Sequence, residues 1–597
     1  MAKTKTSSKT PTDYSRWYLA AIVAFTFLLY AGSLKNELLT FDDNDYFAYE
    51  EVRELSWEGV QNIFTSHHLI MYQPLPVLSF ALQHHFTGLE PQPYHLVNLL
   101  LHLSCVVLVF MLIQELVGNR WISLGVSLLF AIHPMHVEAV AWMSARSSSM
   151  YAAFYLLALL TYLRFLKNGN TRNLWLTGLF FILSLFSKVQ AVTLPLVMLL
   201  LDVHHGRKLS DVKNMVTKIP FFAMSLVFGL IALSDASTQQ NITDGMLEQY
   251  PIWQLPFLVS WSFLFYITKL FVPIDLCAIY AYPPLNDGQL GWIYYASMVP
   301  FLFLGWILWR YRQNRMVVLG AGFFILTIAI NIQIIPSRLF IVADRYTYIP
   351  YIGLYLLMLH LISQWSSKPK YRTLSYGLLS VYLLALPVVS HARIKMWKED
   401  IPFLTDIIEK NQGAPYIYRA YGNRAVKYQS MLRTEEALAD YTKALELYGE
   451  DGKTYFNRSK VYMMMGRNAE ALADLDSAAF RDSSQAALYS LRGQVHLMMS
   501  DTASCIRDSE RALQMDSLDY DAWNTLSTVA YARANYDDCM RYINKAIAAK
   551  PEFAIALKNR GLLHLKLGLN KEACNDFQAA AYLNNQDAAA FYQQYCK

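Results

Sequence analysis

Long apolar runs, each broken by a short polar or basic stretch, fill the chain from about Trp17 to Val389. Beyond Trp397 the pattern changes to short amphipathic segments in which small and large residues alternate at helical spacing. Windows long enough to cross about 30 Å of hydrocarbon begin near Trp17, His95, Trp121, Met150, Asn173, Gln190, Pro220, Trp253, Trp292, Val317, Tyr346 and Leu374. The stretches richest in Lys and Arg are the N-terminus and residues 164–172, 207–218, 310–315 and 368–372, all of which the positive-inside rule puts in the cytoplasm. They share that side only if the window from Trp253 to Val272 is re-entrant or interfacial instead of crossing. This leaves eleven crossings, and the second half of the chain then lies on the side opposite the N-terminus.

The second half carries a repeat. Ala437, Tyr441 and Ala444 have the small-large-small spacing of a helix packed closely on its partner, and steps of 34 residues reproduce it. The steps give Ala471, Leu475 and Ala478, then Cys505, Ser509 and Ala512, then Cys539, Ile543 and Ala546, then Ala573, Phe577 and Ala580. Five paired-helix repeats of tetratricopeptide type are predicted. His496 and His564 fall at packing positions of the first helix, and a stacked array of this kind suits an extended peptide. The fold class is therefore all-α, a polytopic membrane bundle followed by a tetratricopeptide repeat solenoid. Its divisions are a cytoplasmic N-terminus at 1–16, a multi-pass domain at 17–395 with a first outer loop at 35–93, a connecting helix at 396–417 and the repeats at 418–597.

Composition adds limits. At 597 residues, 54% hydrophobic and 16% charged, the chain is too apolar for an average soluble protein. The net charge of +5 gives no reason to invoke nucleic acid. Six cysteines without CxxC or zinc spacing predict neither a structural metal nor a disulfide framework. The basic start ahead of the first apolar run, with no small-residue cleavage site, reads as an uncleaved anchor.

The unusual polar residues gather on the predicted outer face. Asp42, Asp43 and Asp45 in LLTFDDNDYF follow the first span directly, where an ionised carboxylate needs a partner, an ion or a water-filled cavity. Farther along the same loop Pro74 and Pro76 would break a spanning helix, so LIMYQPLPVLSFALQHHF is expected to lie along the interface. His133, His136 and Glu138 form H-P-x-H-x-E with Arg146 beyond it; a divalent ion such as Mn or Mg and simple hydrogen bonding between helices are both open for them. Lys188 suits either an anionic ligand or snorkelling to the interface. Asp344 and Arg345 in ADRYTYIP, with Arg338 ahead of them, suit a forked grip on a lipid phosphate or an ion pair that pins two helices.

The ordered series FDDNDY, HPMHVEAVAWMSAR, LSLFSKVQAVTLPLVMLLLD, IDLCAIYAYPP and VADRYTYIPYIGL ahead of a repeat array resembles the transmembrane and tetratricopeptide repeat family of protein O-mannosyltransferases, within the C superfamily of glycosyltransferases. The resemblance implies a membrane enzyme that moves a sugar, mannose, from a polyprenyl-phosphate donor to Ser or Thr of exported proteins. It implies Asp42 or Asp43 as the catalytic base and Arg345, Arg338, Arg146 and Lys188 around the donor phosphate. His133, His136, Glu138 and Asp344 would line the cavity or hold a metal. The implied partners are a membrane lipid carrier and an acceptor protein or peptide on the repeats. The implied location is a cell inner membrane with site and repeats periplasmic, or an endoplasmic reticulum membrane in a eukaryote. The sequence departs from the family where relatives tend to have Gly-Arg-x-Asp, reading Ala145, Arg146, Ser147 and Ser148. Transfer to a lipid or glycan, and a non-catalytic anchored scaffold, are the alternatives.

Overall fold

In the computed structural model, residues 15–69, 71–242, 250–332, 334, 340–414 and 416–596 are described, with side chains absent from the description at 235–242. Arg338 falls outside the described residues. The chain divides into two compact units, Met1–Tyr416 and Ile417–Lys597.

Each predicted apolar window of the first unit is a helix. Among the described residues, seven helices are long and apolar enough to cross a membrane, and the bent pair Arg120–Ile132 and Pro134–Ala141 makes an eighth if it is one span. The helices Thr171–Ser187, Leu194–His204, Arg315–Ile328 and Tyr351–Ser366 are shorter. The chain is a multi-pass membrane protein. Its basic ends lie together: Lys167, ending one helix, pairs with Glu115, ending another, and Arg207 donates to the Leu166 carbonyl at 3.3 Å. Tyr18 packs on Trp121 at the same end, with ring centroids 5.7 Å apart.

The helix Leu255–Phe271 is apolar enough to cross, yet it runs beside Trp292–Arg310 in the same direction. Ser260 hydrogen-bonds Ser297 at 2.6 Å, and Phe263 packs on Phe301. Gln254, just ahead of the helix, donates to the Gly288 carbonyl at 2.8 Å, so the intervening loop brings the chain back to the level at which it entered. Such a return inside a bundle leaves carbonyls without helical partners, and here protein supplies them. The Leu270 carbonyl is met by His133 Nε2 at 3.1 Å and by the Tyr382 hydroxyl.

The first outer loop has a core of its own. Tyr46, Val52, Ile63, Val77, Phe80 and Tyr94 are buried together with Met143 of the bundle. Pro74 and Pro76 open the helix Pro74–Thr87 instead of breaking one, because a first-turn proline gives up no helical N–H bond. The helix expected over 396–417 is Asp400–Lys410, and it belongs to the first unit instead of standing as a free connector.

The second unit contains five helix pairs, from Ile417–Ser430 with Thr434–Leu447 to Ala554–Lys566 with Asn570–Tyr582, followed by Gln586–Tyr595. The small-large-small residues of every second helix are buried, as the 34-residue register requires. Gly561 is obligatory at its position: a Cβ there would lie 2.6 Å from the Phe577 ring. Two features escaped the sequence reading. Bidentate pairs join Arg424 to Asp440, Arg458 to Asp474, Arg492 to Asp508 and Arg560 to Asp576, at the repeat period with the fourth repeat skipped. His564 joins its pair at 2.9 Å from Asp576. The expectation of no disulfide is corrected as well. Cys574 and Cys596 are bonded, tying the last helix to the fifth repeat, and their separation of 22 residues spans that helix and so hid the pairing.

Within the membrane bundle the helices Arg315–Ile328 and Tyr351–Ser366 touch backbone to backbone. A Cβ on Gly353 would fall 2.4 Å from the Gly320 carbonyl oxygen, and one on Gly320 would fall 2.7 Å from that of Gly353. Gly353→Val is therefore expected to destabilise the bundle by about 1–3 kcal/mol or more, seen as a lower midpoint of thermal unfolding in detergent; an unchanged midpoint would mean that the helices separate without cost.

Candidate active site

The site is built at the end of the bundle opposite the basic loops. After the span Ser15–Lys35 the chain closes into a small ring: the Leu39 amide donates to Asp43 Oδ2 at 2.9 Å and the Asp43 amide to the Leu39 carbonyl at 3.2 Å. Asp43 Oδ1 accepts from the Ser144 amide at 3.0 Å and from the Ser144 hydroxyl. This fully buried carboxylate thus closes the ring with one oxygen and holds the loop to the segment after HPMHVE with the other. Burial pushes Asp43 up to about 6, against the Ser144 and Leu39 bonds, while the charge of Asp400 adds to the rise.

Asp42 is different. It is partly exposed at the crest of the ring and shows no side-chain hydrogen bond among the described residues. Loss of solvation and the neighbouring Asp43 charge raise it to about 7, with Arg345 pulling the other way. Arg345 is close enough to act on Asp42 electrostatically, yet the two make no ion pair within 4 Å. The carboxylate and the guanidinium therefore interact through the field alone, without direct contact.

Arg345 is held from behind. Its side chain pairs with the buried Glu138, and its amide donates to Glu138 Oε2 at 2.8 Å. The charges of Glu138 and Tyr346 outweigh burial and keep it above the usual arginine value. Its guanidinium lies 5.3 Å from the Trp142 ring centroid, and that ring also meets Phe41 at 5.6 Å and Trp397 at 5.5 Å. One indole thus joins the neighbour of Asp42 to the cation. Beside it, buried Asp344 accepts from the Tyr280 hydroxyl at 2.8 Å and from Arg393 at 3.2 Å. Burial raises Asp344 against the pull of Arg393. The short strand pair Tyr280–Ala281 and Phe340–Val342 brings these two stretches together.

Five expected phosphate or cavity residues have other tasks. Arg146 is fully buried and donates to Asn98 Oδ1 at 2.8 Å, to the Ser79 hydroxyl at 3.0 Å and to the Tyr94 carbonyl at 3.0 Å, with Phe80 stacked 4.3 Å away. It fastens the outer loop to the bundle and is not placed to meet a phosphate. Lys188 donates to the Ser148 hydroxyl at 2.7 Å, the position where the resembled family tends to have Asp. His133 uses Nε2 on the Leu270 carbonyl and accepts the Met135 amide on Nδ1 at 3.3 Å; His136 Nδ1 meets the Phe130 carbonyl at 2.8 Å. With Glu138 committed to Arg345, this trio does not fit a divalent ion, and among the described residues no three His, Cys, Asp or Glu side chains converge on a metal position.

Sequence reasoning missed Arg393, Ser144, Trp142 and Asp400. Only Arg393, a cation in the last turn of an apolar helix, carried a signal of its own.

No family model matches the chain. Among curated proteins, "Protein O-mannosyl-transferase Tmtc1" of Drosophila melanogaster is 34% identical over 212 residues, covering 32% of this chain and 24% of that protein. "Protein O-mannosyl-transferase TMTC1" of Homo sapiens is 24% identical over 510 residues, covering 72% and 55%. "Protein O-mannosyl-transferase tmtc2" of Xenopus laevis is 37% identical over 178 residues, covering 27% and 21%. The chain spans between about a quarter and a half of the length of these first two relatives. A solved structure, "YrrB: a TPR protein with an unusual peptide-binding site", is 21% identical and covers 32% of this chain and 97% of its own, at a TM-score of 0.25, too low to carry an argument.

Arg146→Lys is expected to lose the forked contacts to Ser79 and Tyr94 and to lower the cost of opening the loop by about 2 kcal/mol. Limited proteolysis of residues 35–93 in membranes would show faster cleavage; cleavage at the original rate would deny the fastening role. By sequence, the chain is a homologue of the membrane proteins named protein O-mannosyl-transferases.

Proposed function

We propose that this chain transfers a sugar, mannose, from a polyprenyl-phosphate donor to Ser or Thr hydroxyls of exported proteins. The observation that carries the reading is Asp42, raised to about 7, free of side-chain hydrogen bonds among the described residues and within electrostatic reach of Arg345 without an ion pair to it. The names of the homologues supply the sugar and the class of acceptor.

In this reading the acceptor hydroxyl attacks the anomeric carbon while Asp42 takes its proton. The new C–O bond forms as the bond from the anomeric carbon to the phosphate oxygen breaks, and the configuration inverts. The phosphate leaves with an added negative charge, which Arg345 stabilises from a position preorganised by Glu138 and the Trp142 ring. Asp43 holds Asp42 in place.

The site and the repeats are assigned to the non-cytosolic side, periplasm or endoplasmic reticulum lumen. The acidic loop lies opposite the clustered basic ends, and a disulfide in the repeats accords with an oxidising compartment. The repeats are assigned to binding the acceptor polypeptide or a partner of the enzyme.

Asp42→Asn should lower transfer from a short-chain polyprenyl-phosphate mannose to membrane-protein acceptors by roughly 10²–10⁴-fold. Because the base works ionised, the wild-type rate should fall as pH drops through about 7 and level off above it. Full activity of Asp42→Asn, or a rate that is flat from pH 5 to 9, would remove Asp42 as the base.

A further inference from the structure

The Asp42 side chain makes no hydrogen bond of its own among the described residues, so its position is set by what holds the backbone around it. One anchor is Asp43 on Ser144. The other comes from far along the chain. The Thr40 amide and hydroxyl both donate to Asp400 Oδ1, at 2.7 Å and 2.9 Å, and the Glu37 amide donates to the Lys398 carbonyl at 3.0 Å. Phe41, between Thr40 and Asp42, packs its ring 5.7 Å from Phe403 and 5.6 Å from Trp142. Asp400 is itself fully buried in the first turn of the helix Asp400–Lys410, where the helix dipole favours a negative charge.

We infer that Asp400 is a positioning residue for the proposed base. It grips Thr40 as Ser144 grips Asp43, and the ring that presents Asp42 toward Arg345 is clamped from both flanks. The inference rests on the sugar-transfer reading for its consequence in catalysis, while the clamp itself is a matter of geometry. A bond accepted by one oxygen from two donors on a single residue is a specific device, since an amide oxygen can replace the carboxylate oxygen and a methyl group cannot. A displacement of about 1 Å at the base is enough to cost on the order of 10²-fold in rate.

The test uses the full-length protein in membranes, with Asp400→Ala, Asp400→Asn and Thr40→Val compared with Asp42→Asn. Two readouts are taken: mannose transfer from a short-chain polyprenyl-phosphate mannose, and the rate of maleimide labelling at Asn44→Cys, an exposed position on the same loop. Asp400→Ala and Thr40→Val should lower kcat roughly 10- to 100-fold with donor KM within about twofold, and should speed labelling severalfold. Asp400→Asn should restore most of both. Equal damage from Asn and Ala, a change confined to KM, or unchanged labelling in Asp400→Ala would overturn the inference. Absence of mannose transfer by the wild-type protein would instead overturn the sugar-transfer reading, full activity of Asp42→Asn would remove Asp42 as the base, and in either case the labelling arm would still decide whether Asp400 holds the loop.

Discussion

The ion pair between Glu138 and Arg345 is the contact on which the polar end of the bundle depends. Glu138 is fully buried and Arg345 largely so, and removing the partner of a buried charge leaves it uncompensated at a cost of up to about 3–5 kcal/mol. The Glu138 carboxylate accepts from both the guanidinium and the backbone amide of Arg345, and the Trp142 ring covers the guanidinium face. The cation is thereby held still, with part of its charge turned toward Asp42. A phosphate that entered there would find the arginine already ordered, which is where electrostatic stabilisation draws its advantage over water.

The two adjacent acids divide the work by environment. Asp43 accepts three hydrogen bonds and is consumed by structure; Asp42 accepts none among the described residues and is the acid proposed as the base. Their proximity serves the same end, because the charge of Asp43 contributes to raising Asp42 toward neutrality, where a general base works best. Arg393, Asp344 and Tyr280 form a second buried polar chain behind Arg345, and it links the end of the last long helix to the strand pair beside the site.

The repeat unit shows the same economy in another setting. Its small residues let paired helices meet, and the recurring Arg–Asp forks lock the two helices of a repeat at one register. In the fourth repeat Leu526 and Tyr542 replace the fork, and Trp523 stacks on Tyr542 at 5.6 Å. Apolar packing there takes over from the ion pair.

What the sequence determined by itself was periodic or contiguous. The apolar windows became helices, the 34-residue register buried the predicted residues, and FDDNDY and ADRYTYIP were identifiable as polar stretches next to spans. These signals are legible because burial of one helix face repeats along the chain, and charge beside hydrocarbon stands out locally. Only the tertiary structure separated Asp42 from Asp43, gave Arg146 to the loop instead of a phosphate, committed His133 and His136 to backbone carbonyls, and brought Asp400 across 360 positions of chain to Thr40. It also paired Cys574 with Cys596. In each of these the deciding partner is a backbone group or a residue distant in the chain, and a hydrogen bond of that kind leaves no periodic mark in the sequence.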